Sequence, residues 1–122
     1  MEAVRNQNGL YTFKLTVHFK SKTKTLVGLV DTGSNICACN YKIPTTLRAR
    51  QTTWEMITIP TSSTKVPSPG YSIYVGFDDR AEMTHVYRLD LKMDGIDFIL
   101  GMSILSKCKV VLKGEKMEIS WI

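Results

Sequence analysis

Polar and apolar residues alternate along much of the chain with a period of two, the pattern of strands buried on one face. The cleanest case is Tyr11-Thr12-Phe13-Lys14-Leu15-Thr16-Val17-His18-Phe19-Lys20, in which the odd positions are apolar and the even ones polar. Ser21-Lys22-Thr23-Lys24 reads as a solvated turn. Residues 25–30 are nearly all apolar or β-branched, as expected of a strand buried on both faces, and run directly into Asp31. Pro44 blocks strand continuation, and Thr45 or Thr46 is placed to cap a helical turn before Arg50. Residues 54–59 and 71–77 predict two strands flanking a Ser-, Thr- and Pro-rich stretch over 60–70, a long hairpin. Asp78-Asp79-Arg80 turns the chain, after which Met83, His85, Tyr87, Leu89 and Leu91 fall on one face of the next strand. Residues 96–100 predict a buried strand ended by Gly101, 102–107 a short helix, and 109–112 with 117–122 a terminal hairpin about Gly114. Many short strands with turns between them and one short helix predict an all-β barrel or sandwich.

The chain has 122 residues, 43% of them apolar, enough for one compact domain over 1–122 and too few for two. A catalytic site built from two copies of one structural half therefore does not fit within a single chain. The net charge of +5 is mildly basic, and the charged and aromatic fractions are those of a globular protein. The longest apolar runs, such as Leu26-Val27-Gly28-Leu29-Val30, fall far short of the roughly 20 residues of a membrane-spanning helix. The opening nine residues lack an apolar core, so a chain that is neither secreted nor membrane-bound is expected.

The informative segment is Leu29-Val30-Asp31-Thr32-Gly33-Ser34. A carboxylate set at the end of a buried strand is costly unless other groups stabilise it. Thr32 and Ser34 offer hydroxyls to it, and Gly33 lets another backbone approach. Such a carboxyl suits general acid/base work when paired with a second one: two close carboxyls do not both ionise readily, so they share a proton. The ionised member then activates a water and the protonated member polarises a peptide carbonyl.

Together with Gly95-Ile96-Asp97-Phe98-Ile99-Leu100-Gly101 about seventy residues later, this segment resembles the retropepsins, the homodimeric aspartic proteases of retroviruses and retroelements. With Cys37 included, the pattern is most similar to the proteases of plant pararetroviruses of the caulimovirus, badnavirus and tungro bacilliform type. The resemblance covers roughly residues 11–105. It implies a retropepsin-like acid protease barrel with a flap hairpin over about 54–77 and one short C-terminal helix, active as a homodimer. Asp31 would be the catalytic aspartate, Thr32 would cross-link the two active-site loops over the dimer axis, and Gly33 and Ser34 would complete the loop. Ile99, Leu100 and Gly101 would pack beside it. Leu29, Ile57 and Ile73 are the expected substrate-pocket residues, with Ile99 near them. The implied activity is that of an aspartic endopeptidase processing a viral polyprotein in the host cytoplasm or the virus particle. No metal or organic cofactor is implied, because water is the nucleophile; the expected partners are a second copy of the chain and an extended polypeptide substrate. Only one Asp-Thr-Gly occurs, so each chain supplies one carboxyl, and the rate should rise and then fall with pH around an acidic optimum. Two features differ from retroviral relatives: the expected flap tip, Thr61-Ser62-Ser63-Thr64-Lys65, lacks glycine, and the tail after Cys108 is longer than a single terminal strand.

Other chemistries are weaker. Asp31 to Ser34 are also turn formers, and a cellular retropepsin-like domain or a catalytically silent β-barrel for dimerisation or peptide binding are the alternatives. Cys37-Ala38-Cys39 with Cys108 lacks the usual zinc-ligand spacing, and buried reduced thiols are expected. His18 falls on a polar face and His85 among apolar neighbours, as a structural histidine. Lys14, Lys20, Lys22 and Lys24 form a positive cluster best read as a solvated face rather than a nucleic-acid surface.

Overall fold

The computed structural model describes residues 1–59 and 63–122, Ile59 by its backbone alone. In chain order the elements are β1 (Glu2–Arg5), β2 (Tyr11–Phe19), β3 (Lys22–Val30), β4 (Cys37–Cys39), α1 (Lys42–Leu47), β5 (Gln51–Ile59) and β6 (Thr64–Phe77). They are followed by β7 (Arg80–Arg88), β8 (Phe98–Leu100), α2 (Met102–Leu105), β9 (Cys108–Lys113) and β10 (Lys116–Trp121). Hydrogen bonding orders the strands β5-β6-β7-β4-β8-β3-β2-β1-β10-β9, and a further pairing of β6 with β2 closes the middle six into a barrel. The fold is all-β, with two short helices on its surface rather than one.

The barrel forms because the alternation in β2 is real: Phe13, Leu15 and Val17 are buried while Lys14 and Thr16 face solvent. Opposite Phe13, Gly28 is needed for packing, since a Cβ there would lie 2.6 Å from Leu15 Cδ2 and 3.3 Å from the Phe13 ring. Leu26 from β3, Ile73 and Val75 from β6, Val86 from β7 and Phe98 and Leu100 from β8 fill the same core. Lys14, Lys20, Lys22 and Lys24 are all exposed, as a solvated face requires. His18 stacks face to face on Tyr74 at 4.7 Å between ring centres.

Several local expectations are corrected. The turn after β2 is tighter than the lysine-rich stretch suggests, with Lys20 in the left-handed region and strand β3 starting at Lys22. Helix α1 begins ahead of Pro44 instead of after it, which proline tolerates in a first turn because that N–H has no helical partner anyway. On β7 the fully buried side chain is Val86; Met83 and His85 are exposed, so His85 is not a core histidine. The strand also stops at Arg88, leaving Leu89 and Leu91 outside it.

The largest correction concerns the hairpin. Most of the Ser/Thr/Pro-rich stretch is strand, because β6 starts at Thr64 and pairs with β5 from Ile59↔Thr64 to Gln51↔Tyr71. Thr61 and Ser62 of the expected flap tip lie outside the described residues. Pro67 and Pro69 pair with Met56 and Trp54. Proline has no N–H to give, so these must be the non-hydrogen-bonded pairs of the ladder, with both prolines turning the same backbone edge away from β5. Strand β7 pairs with that edge only from Gly70 onward, so residues 66–69 leave it open among the described residues.

Candidate active site

Strand β8 lies between β3 and β4, parallel to the first and antiparallel to the second. The segment 31–36 therefore has to cross the end of β8 to join its two neighbours. Asp31 N–H donates to the Leu100 carbonyl at 3.0 Å, which continues the β3–β8 ladder to the carboxylate-bearing residue. Gly33 N–H donates to Asp31 Oδ1 at 3.0 Å and Ser34 N–H to the Asp31 carbonyl at 3.2 Å, so the loop folds back on its own aspartate. Gly33 has an ordinary backbone conformation; what it supplies is a close approach, since a Cβ would stand 3.3 Å from Asp31 Oδ1.

Ser34 does not serve the carboxylate as its position suggests. Its hydroxyl donates to the Ile36 carbonyl at 2.8 Å and tightens the far side of the loop. The loop is fastened to α2 by Met102 N–H to the Ser34 carbonyl at 2.7 Å and Ser103 N–H to the Asn35 carbonyl at 3.1 Å. Gly101 lies beneath, so close that an added Cβ would fall 1.9 Å from the Ile36 carbonyl oxygen. Thr32 is exposed, and its hydroxyl makes no hydrogen bond among the described residues.

Asp31 is half-buried at the floor of a cleft of about 830 Å³, with Leu29 and Ile99 beside it. The hairpin forms one wall through Thr58, Val66, Pro67, Ser68 and Pro69. A further part of the lining is the segment from Arg88 to Met93, whose Leu89 and Leu91 the sequence pattern assigned to a strand face. Of the expected pocket residues, Leu29 and Ile99 line the cleft. Ile57 does not, its neighbour Thr58 doing so instead, and Ile73 is fully buried in the barrel core. Asn40 fixes the Arg88 side of the cleft: its side chain accepts from Leu91 N–H at 3.1 Å and donates to Asp97 Oδ1 at 2.9 Å. A polar residue directly after the buried Cys-Ala-Cys strand was the available signal for this role.

At the hairpin base, Tyr87 lies across Gly70, where a Cβ would meet Thr53 Cγ2 at 2.7 Å and Tyr87 Cε1 at 2.8 Å. Burial, and then the Glu55 carboxylate, push the Tyr87 phenol above its usual range.

A structural likeness ties these parts together: the crystal structure of a retropepsin-like aspartic protease from Rickettsia conorii is similar to this chain with a TM-score of 0.62. The chain has the retropepsin-like fold. The likeness covers 99% of this chain and 89% of the Rickettsia chain at 18% sequence identity. No family model and no curated protein matches the sequence. Within the retropepsin-like barrel, Asp31 opens the loop that crosses β8, and no helix among the described residues is long and apolar enough to cross a membrane.

The three cysteines are free and buried. Burial pushes the Cys39 thiol up to about 12, with the Arg88 charge opposing, and raises Cys37 despite its contact with Ser103 Oγ at 3.3 Å. Burial also raises Cys108. A thiol reacts through its thiolate, so all three should resist alkylation at pH 8 in the folded protein and react together in denaturant. Mass spectrometry after timed iodoacetamide exposure checks this; rapid native labelling of Cys37 or Cys39 would contradict the packing of β4.

Proposed function

We propose that this chain is one half of an aspartic endopeptidase, with Asp31 from each of two copies forming the catalytic dyad. The observation that carries the reading is the half-buried Asp31 carboxyl held in a largely apolar, hairpin-walled cleft, the other carboxyl bordering that cleft among the described residues, Asp90, being exposed. One carboxyl cannot both take a proton from water and give one to the peptide. A second copy related by a two-fold axis supplies the other from the same position. The Thr32 hydroxyl, without a hydrogen-bond partner among the described residues, is available for the loop-to-loop contact such a dimer needs.

In the reaction, the ionised carboxyl takes a proton as water attacks the peptide carbonyl carbon. The protonated carboxyl gives its proton to the carbonyl oxygen. Collapse of the tetrahedral gem-diol breaks the C–N bond as one hydroxyl returns a proton to the carboxyl that gave it, and the proton gathered from water passes from the other carboxyl to the leaving nitrogen. Substrate lies extended in the cleft with alternate side chains on Leu29, Ile99 and the proline-bearing wall. The similarity of residues 31–37 and 95–101 to pararetroviral proteases supports polyprotein processing as the biological setting. The Rickettsia neighbour, a bacterial protein, favours a cellular protease domain as the second reading.

Dilution tests the half-site reading. Specific activity on a quenched peptide should fall as enzyme is diluted, the rate approaching a square dependence on concentration once monomer dominates, and an inhibitor of the pepstatin type should shift the sedimentation profile toward dimer. Constant specific activity at concentrations where sedimentation shows only monomer would remove the dyad.

A further inference from the structure

The Arg88 side of the cleft carries a charge that peptide hydrolysis does not use. Arg88 is the last residue of β7, two positions after the fully buried Val86 and in register with the fully buried Cys39 of β4. By strand alternation its side chain leaves the backbone on the same side as Val86, but the strand ends there, and Arg88 is exposed where it borders the cleft. Its guanidinium makes no hydrogen bond or ion pair with any described residue. Asp90, Lys92 and Met93 border both the cleft and a neighbouring hollow of about 610 Å³, whereas Arg88 borders the cleft alone. A solvent-exposed arginine with no such partner, lining the same cleft as Leu89, Leu91 and Asp31, is free to pair with an anion on a bound peptide.

We propose that Arg88 makes this cleft selective for peptides carrying a glutamate or aspartate side chain, held by the guanidinium at one position away from the scissile bond. The selectivity rests on the endopeptidase reading for its setting but not for its chemistry. A carboxylate matches the two-pronged donor geometry of arginine. Asp90, two residues along the same wall, opposes a more highly charged group such as a phosphate.

The test uses one extended apolar decapeptide in which each position in turn is Glu, Gln or Lys. Cleavage by the parent protein gives kcat/KM, and fluorescence anisotropy gives binding to Asp31→Asn protein, which separates recognition from hydrolysis. At one position Glu should exceed Gln by about tenfold in both measurements, the scale of a charge-assisted pair. Arg88→Gln should erase that difference, Arg88→Glu should invert it in favour of Lys, and Arg88→Lys should retain part of it. Thermal denaturation of each variant verifies folding. Equal response to Glu and Gln at every position, or a Glu preference that survives Arg88→Gln, overturns the assignment. Glu-selective binding without any cleavage overturns the peptidase reading and leaves the Arg88 site standing; cleavage without Glu selectivity does the reverse.

Discussion

Asp31→Asn protein is expected to lose peptidase activity by about 10⁴-fold or more, the upper end of what a positioned acid/base group contributes. The loss is that large because one substitution removes both members of the dyad, and the amide neither accepts the water proton nor shares one. Folding should survive: asparagine keeps the shape and an oxygen for the Gly33 N–H, and the side chain is half-exposed. A mixing experiment adds a signature that a monomeric enzyme cannot give. With a tenfold excess of Asp31→Asn chains and free exchange, random pairing leaves only about a tenth of parent chains in intact dimers, so activity per parent chain drops in proportion. An unchanged rate in the purified variant, or no inhibition on mixing where dimers demonstrably exchange, would end the dyad hypothesis.

Gly101→Ala is expected to be the most damaging single methyl group in the chain. The added carbon would fall 1.9 Å from the Ile36 carbonyl oxygen, 2.7 Å from its carbon and 2.8 Å from the Ser34 carbonyl oxygen. All three obstacles are backbone, so no side chain can rotate out of the way. Relief requires lifting the active-site loop, which breaks the Met102 and Ser103 hydrogen bonds that fasten it. Overpacking of a core typically costs about 1–3 kcal/mol, and the loss of two hydrogen bonds brings the total to about 4 kcal/mol. The midpoint of thermal unfolding should fall by more than about 10 °C. Gly70→Ala, whose neighbours are the Tyr87 ring and a Thr53 methyl, should cost less because side chains can shift. A Gly101→Ala midpoint within a few degrees of the parent would mean that the loop does not sit on β8 as described.

Much of the barrel was legible because its central strands obey local patterns. The strict alternation of β2, the continuous apolar run of β3 and the turn-centred pair β9–β10 each carry their own signal. Strands β1 and β4 carried almost none, being four and three residues long and held by partners far along the chain. The error on β7 has a physical cause. Of the face picked by hydrophobicity, Tyr87 is buried but Met83 and His85 are exposed, while Val86 on the other face is fully buried, because only the end of the strand is covered on both sides. At the site, the Asp-Thr-Gly-Ser segment and Gly101 were visible because a buried-strand carboxylate and a mandatory glycine leave marks in sequence. Arg88, Asn40 and the proline wall were not, since a cleft is lined by segments that meet only in three dimensions.

Pro67 and Pro69 give the hairpin an asymmetric backbone. Along its open edge the prolines present carbonyl oxygens and no N–H groups, so a strand arriving there can donate hydrogen bonds but finds none offered at those two positions. Such an edge can hold a passing peptide from one side, yet it is a poor template for another β-strand to zip onto. A hairpin that must stay accessible beside a hydrophobic cleft is thereby protected from becoming the seed of an aggregate.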